Sequence, residues 1–229
     1  MKKTLLIIIF TLVSSWAYCQ NNGDFKYSIG VRAYNYLQMP NVLSQSNNDK
    51  YITSYLSSYI VKFNDNLFSY RINGSYLKED LKFSNNCETC DIVDGKMKDF
   101  SFKVGFEKNF NYSVIQPYVA LDLGYRSNKF KGSSNDLNEQ RIAIEESHTN
   151  INATKEGFTV TPTIGIKINP TKQLSVFAES NLEFFYAYER QERIVSSDPN
   201  NRSLRKLNKG EYLINPVALG IQFHFGAKN

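Results

Sequence analysis

Apolar and polar side chains alternate with a period of two over most of this chain, and that rhythm restricts it to β-strands. From Val217 to Gly226 one parity reads Val217, Leu219, Ile221, Phe223, Phe225 and the other Ala218, Gly220, Gln222, His224, Gly226. Strand side chains point alternately to opposite faces, so this segment has one apolar face and one small or polar face. Phe158 to Ile168, Phe100 to Glu107 and Tyr118 to Arg126 repeat the pattern. Tyr27–Tyr34, Phe68–Tyr76 and Leu174–Tyr186 follow it less strictly: Tyr34 falls on the polar parity, and Phe177 and Phe185 interrupt the polar face of the last segment. Tyr51–Phe63 is the least regular, because Leu56 and Ile60 fall on its polar side. The count is eight strands.

The connections alternate in length. Asn64–Asn66, Asn109–Ser113 and Asn169–Lys172 are short and rich in turn residues, whereas 38–50, 85–96, 127–156 and 190–210 are long and polar. No apolar run of about 18 residues follows the N-terminus, which excludes a helical membrane protein. Lipid offers no partner to a backbone N–H or C=O, so a membrane-crossing sheet must close on itself. The expected fold is therefore all-β: an eight-stranded antiparallel up-and-down transmembrane β-barrel with four long outer loops and short periplasmic turns. Tyr51, Tyr76, Tyr125, Tyr186, Tyr188 and Tyr212 fall near the long-loop end, and Phe63, Phe68, Phe106 and Phe225 near the short-turn end, as two aromatic girdles would. Pro162 predicts a bulge, since a closed ladder has no edge to spare for it.

The polar parity carries charges of both signs in equal number: Arg32, Arg71, Lys103, Arg126 and Lys167 against Glu79, Glu107, Asp122, Glu179 and Glu183. A soluble barrel would bury the apolar stripe and solvate these groups. Here Gly, Ser and Thr separate the charges, as a cramped interior requires. Eight strands leave room only for side chains, and an unpaired charge there is costly, so these ten residues are expected to form a lumen ion-pair network that plugs the barrel.

The first residues have a different character. Lys2 and Lys3 precede the apolar run Leu5–Val13, and Ala17-Tyr18-Cys19 offers a small-x-small cleavage site. This is the pattern of a secretory signal peptide, predicting a cleaved leader over 1–19 and one barrel domain over 20–229. Lipidation of Cys19 would favour a small residue just before it, where Tyr18 stands. Cleavage removes Lys2 and Lys3 and lowers the formal net charge from +5 to +3, too little bias to argue for nucleic acid.

On this architecture, and on the aromatic-ended last strand from Ala218 to Phe225, the chain resembles the small eight-stranded outer-membrane barrels of the OmpA transmembrane-domain and OmpX type. The resemblance covers Asp24 to Phe225 and implies an outer-membrane location, with a terminal strand like the signal read by barrel-insertion machinery. Four residues, Gly226 to Asn229, follow the final aromatic, a departure from the usual form. The Gln20 start and general style are also similar to the PorT-like barrels of envelope secretion systems.

Little in the sequence suggests a reaction. His224 falls on the inward parity and reads as a lumen network member. Glu145-Glu146-Ser147-His148 has the residue types of outer-membrane lipid A deacylases, but neighbours in a loop seldom form a working triad. Cys87 and Cys90, the only cysteines after the leader, predict a small loop disulfide in an exported protein; zinc would need two further ligands. Arg202, Arg205, Lys206 and Lys209 make the fourth link basic enough to contact lipopolysaccharide phosphates. No cofactor or nucleic-acid motif is present. Three functions follow: an envelope component or subunit of a larger outer-membrane secretion, assembly or uptake complex; a small transport barrel for an apolar solute; and a lipid A-modifying enzyme. The expected partners are outer-membrane lipids, lipopolysaccharide and such a complex.

Overall fold

Eight strands run in order as β1 (Phe25–Gln38), β2 (Tyr51–Asp65), β3 (Phe68–Ser84), β4 (Ile92–Asn109), β5 (Ile115–Asn135), β6 (Thr149–Ile168), β7 (Leu174–Val195) and β8 (Arg202–Ala227). The structure is a computed structural model describing residues 25–42, 51–84, 92–135, 148–196 and 201–227. The leader expected over 1–19, the pair Cys87 and Cys90, and Glu145, Glu146 and Ser147 lie outside the described residues. Each strand pairs antiparallel with its neighbours, and β8 returns to β1, so the sheet is a closed barrel. At the short-turn end, Asn66 takes a left-handed backbone (φ 51°) that lets Asn66-Leu67 turn β2 directly into β3.

The outer wall is laid out in rows of register partners. One row runs Phe225, Tyr27, Phe63, Tyr70, Phe106 and Leu121. Two residues further up each strand comes an aliphatic row: Ile29, Val61, Ile72, Val104, Leu123 and Val160. Above it, Tyr59, Gly74, Phe102, Tyr125, Phe158 and Tyr186 are aligned. The large side chains of these rows are mostly exposed, Phe158 at 74% and Tyr70 at 64%. On β5 the outward apolar run from Ile115 to Tyr125 measures about 33 Å along the strand. At a tilt of about 40° it covers the ~25 Å apolar band of a membrane barrel. No described helix is long and apolar enough to cross a membrane.

Three irregularities break the parity, and none is at Pro162. Arg32 faces Ser58 while Tyr34 faces Tyr55, which leaves an extra residue on β2, where Leu56 is held at φ 50°. Against β8 the extra residue is Ala33, since Arg32 faces Gly220 and Tyr34 faces Leu219. Tyr34 is thereby turned from the polar parity to the outer face, its ring 5.9 Å from that of Tyr55. On β8 the extra residue lies at Pro216, between Asn215 (opposite Asn181) and Ala218 (opposite Glu179). The bulge expected at Pro162 is absent. Pairing with β7 lapses at Thr161 and Pro162 and resumes in the same register at Thr163, so the missing N–H costs local bonds without inserting a residue.

The strands also differ in height. The β2–β3 ladder stops at Ser58–Ser75 and the β1–β8 ladder at Tyr36–Val217, whereas β4–β5 continues to Ile92–Asn135 and β7–β8 to Ile194–Arg202. A six-stranded wall, β3 to β8, therefore rises past a short β1–β2 hairpin. The long links read from the sequence shrink accordingly to 39–50, 85–91, 136–148 and 196–201, because polar residues there continue the ladders. The chain after β1 turns into the mouth. The Gln38 side chain accepts the Ile214 N–H (2.9 Å), and the Asn41 N–H donates to Glu211 (3.2 Å).

Candidate functional site

The most concentrated chemistry lies inside. Since inward positions alternate with the lipid-facing ones, each strand contributes charges to a common axis. At the short-turn end Glu107 receives Lys62 and Lys167, both at 2.6 Å, and Arg71 at 3.3 Å. Arg71 also reaches Asp122 (3.2 Å) and Glu179 (3.6 Å). Glu179 in turn is bonded by Arg32 (2.5 Å) and by the Tyr118 hydroxyl (2.9 Å). The ammonium groups of Lys62 and Lys167 stand 5.5 and 5.0 Å from the Tyr118 ring centre.

Higher in the lumen, Glu183 is held by Lys103 and by Arg126 (2.6 Å). Arg126 bridges to Asp99 (2.9 Å), which also accepts from Asn128 (2.8 Å). Near the mouth, Lys155 joins Glu211 (2.7 Å) and Glu189 (3.2 Å). These enclosed cations are Arg32, Lys62, Arg71, Lys103, Arg126, Lys155 and Lys167. They face Asp99, Glu107, Asp122, Glu179, Glu183, Glu189 and Glu211, so the signs balance. Such balance is what a low-dielectric enclosure requires, since removing one partner leaves its mate stranded.

Above the ions is an apolar plug. Leu37, Met39, Val42, Val93, Met97, Phe130 and Ile151 pack together, fully or nearly buried. Phe130 fills the space over two facing glycines: a Cβ on Gly95 or Gly132 would come within 2.6 or 2.8 Å of its ring. Beneath the plug the described residues line a polar cavity of about 60 Å³, with Arg32, Asn73, Asp99, Lys103 and Arg126 among its walls, and a smaller one of about 20 Å³ lies beside Lys167, Gln222 and His224. Each has room for a few waters at most and for no larger solute.

The structure brings together every expected lumen charge except one. Glu79 lies on the inward parity of β3 but is only half-buried at the rim, and it joins no ion pair among the described residues. The network gains Lys62, Asp99, Lys155, Glu189 and Glu211, which the sequence reading left out. Lys62 was hidden by the bulge at Leu56, which scrambles the parity of β2. Asp99 sits one residue before the regular run that begins at Phe100, and the other three lie in or beside stretches read as links. The signal was there: Ala153-Thr-Lys155-Glu-Gly157 and Ala187-Tyr-Glu189-Arg-Gln191 keep the period of two.

The two histidines have separate surroundings. His224, 2% exposed, engages the Ser28 hydroxyl at Nδ1 (2.8 Å) and the Ser175 hydroxyl at Nε2 (2.6 Å) at the closed end of the lumen. His148 Nδ1 lies 2.9 Å from the Asn135 side chain. Among the described residues no group of three His, Cys, Asp or Glu is placed to hold a metal. Arg202, Arg205, Lys206 and Lys209 lie on β8 rather than in a loop and do not form one cluster. Arg202 and Lys206 share the outward parity of Tyr212, whereas Arg205 and Lys209 share the inward parity of Glu211. Arg202 is paired with Glu192 (2.5 Å) and Lys209 with Glu211 (3.2 Å).

No family model and no curated protein matches the sequence. Solved structures do match the fold. A major outer membrane protein from Thermus thermophilus superposes with a TM-score of 0.52 at 11% identity, covering 87% of this chain and 99% of that one. The outer membrane protein OprG from Pseudomonas aeruginosa gives 0.52 at 8% identity, covering 90% and 100%. Ail, the attachment invasion locus protein of Yersinia pestis, is more distant, with a TM-score of 0.41 at 12% identity over 88% of this chain and 99% of that one. The first two show the fold, an eight-stranded antiparallel outer-membrane type of barrel. An outer-membrane location agrees with the apolar outer wall described above.

Proposed function

We propose that the chain is exported by a cleaved leader, residues 1–19, and works in the outer membrane as a non-enzymatic barrel with a closed lumen. Its role is that of an envelope interaction component or a subunit of a larger secretion, assembly or uptake complex. The observation that carries this reading is the balanced ion network under the apolar plug, among whose described residues only cavities of about 60 and 20 Å³ are open. A barrel filled in this way has a stable interior and no path for solute, so its specificity belongs to its outer wall and rim. Outer-membrane lipids, lipopolysaccharide and a protein assembly are the partners that such a surface can meet. The test is extraction in mild detergent followed by mass spectrometry of what travels with the chain, together with planar-bilayer recording. A stoichiometric protein partner and no steady unitary current support the reading. Large, stable openings would defeat it.

A further inference from the structure

We propose that lysines on the outer face of β3, β4 and β5 form a binding site for the phosphates of an anionic lipid in the leaflet at the long-loop end. The register sets Lys78 opposite Lys98 and Lys98 opposite Lys129, in one row across three strands. In the next row outward, Lys96 lies opposite Lys131. Like charges directly opposed across antiparallel strands repel, so this wall carries an unfavourable arrangement that an anion would relieve. Acidic neighbours relieve it only in part. Lys129 pairs with Glu156 at 3.3 Å, Asp80 stands directly opposite Lys96 in the upper row, and Asp94 lines the same groove, whereas the Lys78–Lys98–Lys129 row has only lysines opposed. Lys78, Lys96, Lys98 and Lys131 join no ion pair among the described residues. The five lysines and two aspartates line an outer groove of about 790 Å³.

Height identifies the occupant. The Lys78–Lys98–Lys129 row lies two residues outward of Tyr76, Phe100 and Ser127, which is about 6.6 Å along the strand. Tyr76 and Phe100 are exposed at 57% and 47% and close the apolar band from above. The ammonium groups therefore stand at headgroup level, and the wall of Ile72, Val104 and Leu123 below them is already suited to acyl chains. A lipid with a phosphate head satisfies both halves of the surface at once. A soluble anion would use only the upper half. This inference needs the barrel seated in a bilayer but not a closed lumen, so a conducting lumen would leave it standing.

The experiment uses the full exported chain folded in phosphatidylcholine nanodiscs doped with lipid A bearing both phosphates. The readout is the lipid A kept by the protein after exchange into neutral detergent. We expect selective retention by the wild type, no selectivity for dephosphorylated lipid A, and at least about a tenfold loss in a Lys78→Gln/Lys98→Gln/Lys129→Gln variant. A Lys26→Gln/Lys108→Gln/Lys172→Gln variant, which removes the same three charges at the short-turn end, keeps wild-type retention and controls for overall charge. Circular dichroism and heat-dependent gel migration establish that each variant is folded. Should Lys78→Gln/Lys98→Gln/Lys129→Gln misfold, Lys96→Gln/Lys131→Gln supplies the same comparison. Equal retention by a folded lysine variant, or equal retention of dephosphorylated lipid A, overturns the proposal. So does displacement by inorganic phosphate at fixed ionic strength, which would assign the row to a free anion.

Discussion

Tyr118 and Gly165 face each other across β5 and β6, and the tyrosine ring occupies the space that a side chain on the glycine would need. A Cβ built on Gly165 would lie 2.3 Å from Cζ of that ring and 2.5 Å from its hydroxyl. The missing side chain lets the ring lie across the lumen under two ammonium groups and lets its hydroxyl reach Glu179. Gly165→Ala should therefore destabilise the barrel by about 1–3 kcal/mol, the usual cost of forcing a packed ring aside. Urea unfolding of the vesicle-inserted protein measures it. Combining it with Tyr118→Leu should give less than the sum of the single effects, since the two side chains compete for one space.

Glu107 is the hub of three cations, so its neutralisation is expected to be the most damaging single change in the lumen. Glu107→Gln should cost about 3–5 kcal/mol, because Lys62, Lys167 and Arg71 lose their shared anion inside a low-dielectric enclosure. The same substitution at Glu79, which has no cation partner among the described residues, should fall within about 0.5 kcal/mol. An equal cost at both positions would mean that the network does not hold the barrel together.

Leu123 tests the assignment of the faces. It stands in the aliphatic row between Val104 and Val160, 54% exposed in the isolated barrel. Leu123→Arg should destabilise the membrane-inserted protein by about 2–4 kcal/mol, as a cation at mid-bilayer does on a barrel wall. In an aqueous β-barrel whose outer face met water, the same substitution would be close to neutral.

Phe130 tests the plug. Removing its ring exposes the facing glycines Gly95 and Gly132 and leaves a cavity that their backbone cannot fill. Phe130→Ala should cost about 3–5 kcal/mol. Because the ions below are separate from the plug, the variant should remain non-conducting in planar bilayers; brief openings would show that the plug also seals.

Leu56 tests the bulge. A leucine held at φ 50° bears a penalty of about 1–2 kcal/mol that glycine escapes. Its side chain is 60% exposed rather than packed against protein, so Leu56→Gly should be neutral or stabilising by up to about 1 kcal/mol in urea titration. Ile60→Gly, four residues on and buried inside the lumen, should be strongly destabilising by the same measure.

Strand identity and the sense of each face were legible because a one-residue slip would turn an entire stripe to the wrong medium. Val217–Phe225 and Phe158–Ile168 show this, and the charged residues opposite them went with the parity. Three kinds of feature escaped. Bulges at Ala33, Leu56 and Pro216 leave no local mark beyond a broken alternation, and a proline can lose its ladder bond without a bulge, as Pro162 does. The height of β3 to β8 was hidden because strands beyond the bilayer no longer need an apolar outer face. Lys129, Lys131 and Lys155 therefore read as a polar loop. The apolar plug was hidden for the same reason, since Val93, Met97 and Ile151 fall in or at the margin of those stretches.

The uneven heights have a consequence for assembly. Above Ser75 on β3 and above Val217 on β8, the wall ends in strand edges that β2 and β1 do not cover. On the β8 side Gln38 and Asn41 occupy only the positions near Ile214 and Glu211. An uncovered edge presents amides and carbonyls in register, a template on which another polypeptide can add a strand.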